Sequence, residues 1–304
     1  MRPRPEPLDL PVGRLGGDLE SELVALEELS VTLATVAGRF VRDERPALLG
    51  VSHTKTTELD VVTEMDTRCE TLLRAELARQ RPDDAVLGEE EGLTAGVSGL
   101  TWVLDPIDGT VNYLYDYPAY AVSVAVVVGD PTTPGSWSPV AGAVHNPAVD
   151  EVFHARAGGG ARVDRPVRPG ASAYTSGRAL GPLGSTVDGG HPTLSRALVG
   201  TGFSYDLDAR RTQGAVAAEV LTRIRDLRRS GSAALDLCHV GAGRLDGYYE
   251  RGLHPWDMAA GALVVTEAGG VVSGLDAVPS ERMVLAASPG LHGDLHEMLS
   301  RLHG

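Results

Sequence analysis

Two acidic clusters follow short apolar segments of the sequence. A run of three glutamates, 89–91, comes after the apolar segment 85–87, and Asp105 and Asp108 come at the end of the apolar segment 101–104. Carboxylates brought together in this way repel one another and raise one another's pKa unless a cation lies between them. Magnesium prefers oxygen ligands in octahedral geometry. The two clusters therefore predict a divalent metal site.

The segment 104–110, of sequence LDPIDGT, carries more than its two aspartates. Ile107 could offer a backbone carbonyl to a metal, Gly109 lets the chain bend, and Thr110 could begin a helix whose free N–H groups favour a phosphate. An Asp-rich turn without a ligand is the structural alternative, because Asp, Pro and Gly are common turn formers. Asp257, far downstream, has the alternative of a helix N-cap. Together these residues favour a metal site that handles a phosphate.

Apolar periodicity indicates the elements that must position these residues. Leucines at helical spacing predict an amphipathic helix over 20–42 and a second helix after Asp66 that ends near Pro82. Further helices are predicted over 210–223, 232–240 and 256–268 and at the end of the chain. Strands are predicted over 85–87, 101–104, 120–128, 140–145, 151–155, 245–250, 271–273 and 283–287, and near Leu198, with a hairpin between the fourth and fifth of them.

Length and composition limit the class of protein. The chain has 304 residues, 42% hydrophobic and 22% charged, which fits a globular protein larger than a usual single domain. The segment 166–190 is rich in Gly and Pro and is typical of a loop between subdomains. We expect a disordered tail over 1–18, an N-terminal α+β half over 19–185 with most of the acidic residues above, and a C-terminal α/β half over 186–304 with Asp257.

The charge balance argues against some partners. A formal net charge of −14 disfavours nucleic acid, which is bound by clustered Lys and Arg, and an acidic protein that handles phosphate needs a cation in its site. The longest apolar stretch, 120–128, is far shorter than the roughly 20 residues of a membrane helix, so we expect no membrane contact. Two distant cysteines and the lack of a signal-peptide core in segment 1–18 favour the cytoplasm. Lys55 is the sole lysine among 27 basic residues.

Several blocks of this sequence, in order, resemble the inositol monophosphatase family, within the larger group that includes the fructose-1,6-bisphosphatases. The resemblance covers roughly residues 20 to 300. The similar blocks are Lys55-Thr56-Thr57 with Asp60, Val62-Thr63 and Asp66; Gly88-Glu89-Glu90; Trp102 to Asn112; and Trp256-Asp257 through Glu267-Ala268-Gly269-Gly270. The resemblance implies an α+β fold, a five-layer αβαβα sandwich, in a homodimer with two or three Mg²⁺ ions per site.

The resemblance also implies a role for individual residues. A first metal would be bound by Glu89, Asp105 and the Ile107 carbonyl, and a second by Asp105, Asp108 and Asp257. The residues that would orient and deprotonate the attacking water are Glu89, Thr110 and Asp66. Gly109 and Thr110 would hold the phosphate, with Lys55 nearby. Contacts to a polyol leaving group would come from Gly231, Ser232, Ala233 and Glu250, although 231–234 is also a good helix start and Glu250 could be a solvated strand end.

The implied function is magnesium-dependent, lithium-sensitive hydrolysis of inositol 1-phosphate, or a similar small polyol phosphate, by direct attack of water. Histidinol phosphatase, fructose-1,6-bisphosphatase and 3'-phosphoadenosine phosphatase activities remain alternatives within the group. An aspartyl-phosphate phosphatase is disfavoured because two residues, rather than one, separate Asp105 from Asp108. A role as a binding partner of the transcription machinery is an alternative of a different class, although intact metal-binding carboxylates favour catalysis.

Overall fold

Two large β-sheets organise the part of the chain that the computed structural model describes, residues 18–47, 50–54, 61–166, 174–181 and 192–303. In chain order the strands are β1 (Val51–Thr54), β2 (Val61–Thr63), β3 (Ala85–Gly88), β4 (Gly92–Thr94), β5 (Leu100–Asp108), β6 (Ala121–Gly129), β7 (Trp137–Asn146), β8 (Glu151–Arg156), β9 (Gly160–Pro166), β10 (Tyr174–Ala179), β11 (Leu198–Thr201), β12 (Asp226–Arg228), β13 (Gly247–Glu250), β14 (Val271–Ser273) and β15 (Val284–Ala287). The helices are α1 (Leu19–Asp43), α2 (Glu64–Gln80), α3 (Thr110–Leu114), α4 (Leu207–Leu221), α5 (Ala233–Gly241), α6 (Pro255–Glu267) and α7 (Pro289–His303).

The larger sheet has eight strands in the order β10-β9-β8-β7-β6-β5-β3-β4, and the smaller has five in the order β12-β11-β13-β15-β14. In the larger sheet only the pairing of β3 with β5 is parallel. In the smaller sheet β11 runs parallel to both of its neighbours. β1 and β2 form a separate antiparallel pair. The carboxyl ends of β3 and β5 therefore meet at one edge, where both acidic clusters lie.

The helices and the two large sheets alternate in five layers. α1 and α2 bury Leu33 and Leu73 against one face of the larger sheet. α5 and α6 lie between the sheets, so Leu263 packs on the larger sheet and Val265 on the side of the smaller one. α4 and α7 cover the far face of the smaller sheet. The predicted αβαβα sandwich is confirmed.

The position of each helix in this stack follows from its sequence. α1 is amphipathic, with a buried stripe that includes Leu26 and Leu33 and charged residues opposite. α6 is apolar on all sides because a sheet packs on each face. Gly142 of β7 permits close packing there, since a Cβ at this position would lie 3.2 Å from the Ala260 Cβ atom. Among the described residues, no helix combines the length and the apolar character that crossing a bilayer requires.

Most predicted elements agree with the structure, but three differ in ways that matter. The strand predicted to end at Leu104 continues to Asp108, so both aspartates lie within β5. The helix predicted to follow Asp66 begins at Glu64, so Asp66 lies in its first turn. Part of the segment expected to be a loop forms β10, at the edge of the larger sheet. The tail lies outside the described residues except for Asp18, and the division of the chain near 185 stays a prediction.

Candidate active site

A bulge at the end of β5 places its two aspartates together. Asp105 pairs with Ser123 and Asp108 with Ala121, so three steps along β5 match two along β6. In a regular strand side chains three residues apart point to opposite faces, and the extra residue brings both aspartates to one face. The Asp105 Oδ1 atom accepts a hydrogen bond of 3.0 Å from the Ile107 N–H group, which fixes the turn between them.

Asp108 is held by the N-terminus of α5. Its Oδ2 atom accepts hydrogen bonds from the Ser232 hydroxyl at 2.6 Å and from the Ala234 N–H group at 2.7 Å. Burial raises the pKa of Asp108 to about 6, although these two hydrogen bonds to the charged form lower it. The carboxylate is thus buried but supported.

Asp257, in the first turn of α6, completes an acidic cluster with the two aspartates of β5. Carboxylate oxygens of Asp105, Asp108 and Asp257 all lie within 4.8 Å of one another. Burial raises the pKa of Asp105 and of Asp257 well above the ordinary value, and the neighbouring carboxylates raise both further. Asp257 also accepts a hydrogen bond of 2.6 Å from the His254 N–H group as the third residue of a capping box. It therefore caps α6 from inside the first turn, while His254 occupies the N-cap position.

Asp66 and Thr110 lie next to this cluster. The Thr110 hydroxyl is 3.0 Å from the Asp66 Oδ1 atom and 3.1 Å from the Ile107 carbonyl oxygen. Asp66 also accepts hydrogen bonds from the N–H and hydroxyl groups of Thr63, the N-cap of α2. Burial raises the pKa of Asp66 to about 7 despite these hydrogen bonds. A carboxyl group of that pKa can exchange a proton at neutral pH.

Gly109 makes the turn from β5 into α3. It adopts a φ of 95°, a left-handed conformation that favours glycine, and a Cβ there would lie 3.0 Å from the carbonyl oxygens of Ala119 and Gly231. Asn112 ties this turn to the C-terminal part of the chain, because its side-chain amide donates to the carbonyls of Ala119 at 2.6 Å and Ser230 at 2.8 Å. The two sides of the cluster are thereby held in one geometry.

A cavity of about 450 Å³ opens over the acidic cluster. Ten of the residues predicted from sequence line it, namely Glu89, Asp105, Ile107, Asp108, Gly109, Thr110, Gly231, Ala233, Glu250 and Asp257. Asp66 and Ser232 do not line the cavity. Asp66 contacts Thr110 and Ser232 contacts Asp108, and both of those partners line it. Lys55 lies outside the described residues.

Ser232 lies outside the cavity wall, at the start of α5. It is buried, it is the N-cap of α5, and its hydroxyl accepts from the Leu235 N–H group while donating to Asp108. The alternative of a helix start thus describes this side chain. Glu250 ends β13, accepts a hydrogen bond from the Tyr248 hydroxyl, and faces the cavity, and burial raises its pKa to about 7.

Sequence reasoning missed part of the cavity wall. The loop 202–206 between β11 and α4 lines it, as does Arg229, which is exposed just before the Gly231 turn. The loop has no spacing or composition that distinguishes it from an ordinary connection, and it reaches the site only because β11 pairs with β13. Arg229 lies two residues before Gly231, which was predicted to contact the leaving group, and this closeness in sequence is the one feature that could have indicated its place in the cavity.

Comparisons with known proteins agree with this fold. The Inositol monophosphatase family profile matches residues 22–303. Inositol-1-monophosphatase SuhB of Mycobacterium tuberculosis is 42% identical over 301 residues, 94% of this chain and 97% of that protein. The solved structure of Mycobacterium tuberculosis SuhB has a TM-score of 0.73 at 41% identity, covering 92% of this chain and 98% of that one. A Xylella fastidiosa relative, Nus factor SuhB, is 36% identical over 230 residues, 75% of this chain and 74% of that protein.

The sandwich fold and these matches define a phosphoric monoester hydrolase. The chain belongs to the inositol monophosphatase family.

Proposed function

We propose that this protein hydrolyses inositol 1-phosphate, or a similar small polyol phosphate, with Mg²⁺ and by direct attack of water. The observation that carries the proposal is the cluster of Asp105, Asp108 and Asp257 in the wall of a 450 Å³ cavity. Two buried carboxylates and a half-buried third this close repel one another, and a cation removes the repulsion. Family membership supports the reaction class, while the metal and the substrate are part of the proposal.

The donor set fits magnesium. Among the residues that the structure describes, the donors that converge in the cluster are carboxylate oxygens, as a hard cation prefers. One ion would be held by Glu89, Asp105 and the Ile107 carbonyl. A second would be held by Asp105, Asp108 and Asp257, and the site could bind a third ion. Bound magnesium would neutralise charge on the phosphoryl group and lower the pKa of water.

The chain's own groups would orient the attacking water. The Thr110 hydroxyl has one hydrogen, and donating it to the Asp66 carboxylate leaves its lone pairs for the water's proton. Asp66, with a pKa near 7, can take up the proton in turn, and Glu89, which lines the same cavity, would share this work. Backbone N–H groups of Gly109 and Thr110 would bind the phosphate.

The leaving group would lie at the side of the cavity formed by residues from the C-terminal part of the chain. Glu250 lines the cavity there with Gly231 and Ala233, and a carboxylate can accept hydrogen bonds from vicinal hydroxyls. Histidinol phosphate, fructose 1,6-bisphosphate and adenosine 3',5'-bisphosphate remain competing substrates. Turnover efficiency on a panel of these four phosphates would rank them.

The test of the proposal is phosphate release by the purified protein with and without Mg²⁺. We expect Asp257→Asn to lower turnover by orders of magnitude, because it removes charge from the metal site. Asp276→Asn is the matched control, since that aspartate is exposed and pairs with Arg282. Full activity after thorough chelation would refute the metal requirement, and labelled phosphate found covalently on Asp105 or Asp108 would refute direct attack by water.

Three further properties are proposed for this protein. We infer inhibition by lithium, assembly as a homodimer and a cytoplasmic location, all from the family. Phosphate release in a lithium titration tests the first, and light scattering on a sizing column tests the second. Fractionation of cells tests the third.

A second function is favoured by one observation, the name Nus factor carried by the Xylella fastidiosa relative. We propose as the alternative that this chain binds a protein of the transcription machinery. Such binding needs no turnover, so Asp257→Asn would abolish hydrolysis and retain the partner. Loss of both together, in a folded variant, would contradict an independent binding role.

A further inference from the structure

Glu70 is a fully buried carboxylate that the proposed mechanism does not use. It lies on α2 one helical turn after Asp66, so both side chains project from the same face of the helix. Asp66 contacts Thr110 at the phosphate end of the cavity. Glu70 reaches the turn that follows β3, where Glu89 lies.

The Glu70 carboxylate accepts both N–H groups that follow Glu89. Its Oε2 atom accepts from the Glu90 N–H group at 2.8 Å and its Oε1 atom from the Glu91 N–H group at 3.0 Å. Glu89 itself donates its N–H group to the Leu104 carbonyl of β5 at 3.2 Å. Three successive backbone N–H groups are therefore fixed, and the direction of the Glu89 side chain is fixed with them.

Two further residues accommodate the Glu70 carboxylate. Arg74 donates to the Glu70 Oε1 atom at 2.8 Å and to the Gly92 carbonyl at 2.6 Å, so it supports the carboxylate and the strand after the turn. Gly88 leaves the necessary room, because a Cβ there would lie 2.1 Å from the Glu70 Oε1 atom. The buried charge is satisfied by two backbone donors and one cation.

We propose that Glu70 is a positioning residue that holds the turn 89–91 so that Glu89 faces Asp105. The inference rests on the proposed function only in taking Glu89 as a metal ligand. Side chains that orient a ligand without touching the metal typically change metal affinity or activity 10–100-fold when replaced. A purely structural Glu70 would instead change stability and leave the metal affinity of the folded protein unaltered.

The first experiment is calorimetric titration of the full chain with Mg²⁺ in the absence of substrate. Glu70→Gln keeps the side-chain shape but leaves one of the two N–H groups facing an amide donor. We expect roughly tenfold or greater weakening of Mg²⁺ binding. Glu76→Gln on the same helix is the matched control, because its partner is the exposed Arg79, and it should bind Mg²⁺ as the unaltered protein does. Gly88→Ala displaces the Glu70 carboxylate from the other side and should reproduce the loss.

The second experiment is a double-mutant cycle. If Glu70 acts through Glu89, then Glu70→Gln should weaken binding no further once Glu89→Gln is present. Independent losses that multiply would overturn the proposal, as would unaltered Mg²⁺ affinity in Glu70→Gln at a temperature where circular dichroism shows it folded. Lack of phosphatase activity in the unaltered protein would refute the proposed function alone, because the cycle requires no turnover.

Discussion

Ser232→Ala tests whether this hydroxyl supports the metal site or contacts the leaving group. The residue is buried and its hydroxyl makes two contacts, accepting from the Leu235 N–H group at 3.3 Å and donating to Asp108 at 2.6 Å. Alanine removes both and adds no bulk. Ser232→Thr retains the hydroxyl and is the matched control.

The expected loss of stability follows from these two contacts. Removing an N-cap hydroxyl costs about 1 kcal/mol, and a hydrogen bond to a charged group contributes about 2 kcal/mol, so the free energy of unfolding should fall by roughly 3 kcal/mol. Asp108 keeps its bond from the Ala234 N–H group at 2.7 Å, so it should stay oriented. We therefore expect only about a tenfold loss of turnover.

Urea unfolding and kinetics on two substrates decide between the two roles. A support role lowers turnover of inositol 1-phosphate and of an aryl phosphate by the same factor, because both use the same metal site. A loss confined to inositol 1-phosphate, with unchanged stability, would refute the reasoning. It would show that the hydroxyl contacts the polyol in the working protein.

Two other predictions concern Glu250 and His154. Glu250→Gln should lower the turnover efficiency for inositol 1-phosphate roughly tenfold or more, and that for an aryl phosphate much less. The reason is that Gln can still accept the hydrogen bond from Tyr248, whereas the contact to polyol hydroxyls loses its charge. Equal kinetic losses on the two substrates would contradict this. Burial lowers the pKa of His154, but the ion pair with Asp164 and the hydrogen bond to Glu27 raise it to about 9 from 6.5. A raised pKa stabilises the fold fully below pH 6.5, and that contribution of about 3 kcal/mol is lost as pH rises through 9. His154→Gln should flatten the fall in urea stability between pH 6.5 and 9, and an unchanged slope would count against the ion pairs.

The order of helices and strands could be predicted because it depends on local patterns. The stripe of α1 and the Gly-Gly stop after α6 are visible over a few residues, and both elements agree with the structure. The end of β5 could not be predicted, because Pro106 and two aspartates have low strand propensity. Its extension is imposed by pairing with β6, a contact between distant parts of the chain.

The site shows the same limit. Asp105 and Asp108 could be singled out from residue type and spacing, and Asp257 from the family resemblance, and the structure brings the three together. The loop 202–206 could not, because its place in the cavity depends on the pairing of β11 with β13. Glu70 looks in sequence like one of many helix carboxylates, and only its burial against a turn sets it apart.

Three of the carboxylates in the candidate site also hold the N-termini of helices. Asp66 caps α2, Asp257 caps α6 and Asp108 accepts an N–H group at the start of α5. A helix N-terminus favours an anion, so the chain itself holds each of these carboxylates in place. The structural and chemical interpretations of these aspartates are therefore not alternatives.

Because Asp257 has both roles, asparagine is a more informative substitution at this position than alanine. The side-chain oxygen of asparagine can still accept from the His254 N–H group, so the start of α6 should survive the substitution. Only the charge facing Asp105 and Asp108 is lost. Alanine would remove the cap as well, and any loss of activity would then mix unfolding with loss of the ion. Asp257→Asn with an unchanged unfolding midpoint and abolished Mg²⁺ binding would assign the effect to charge, whereas an equal fall in stability for the two substitutions would show that the cap depends on the carboxylate itself.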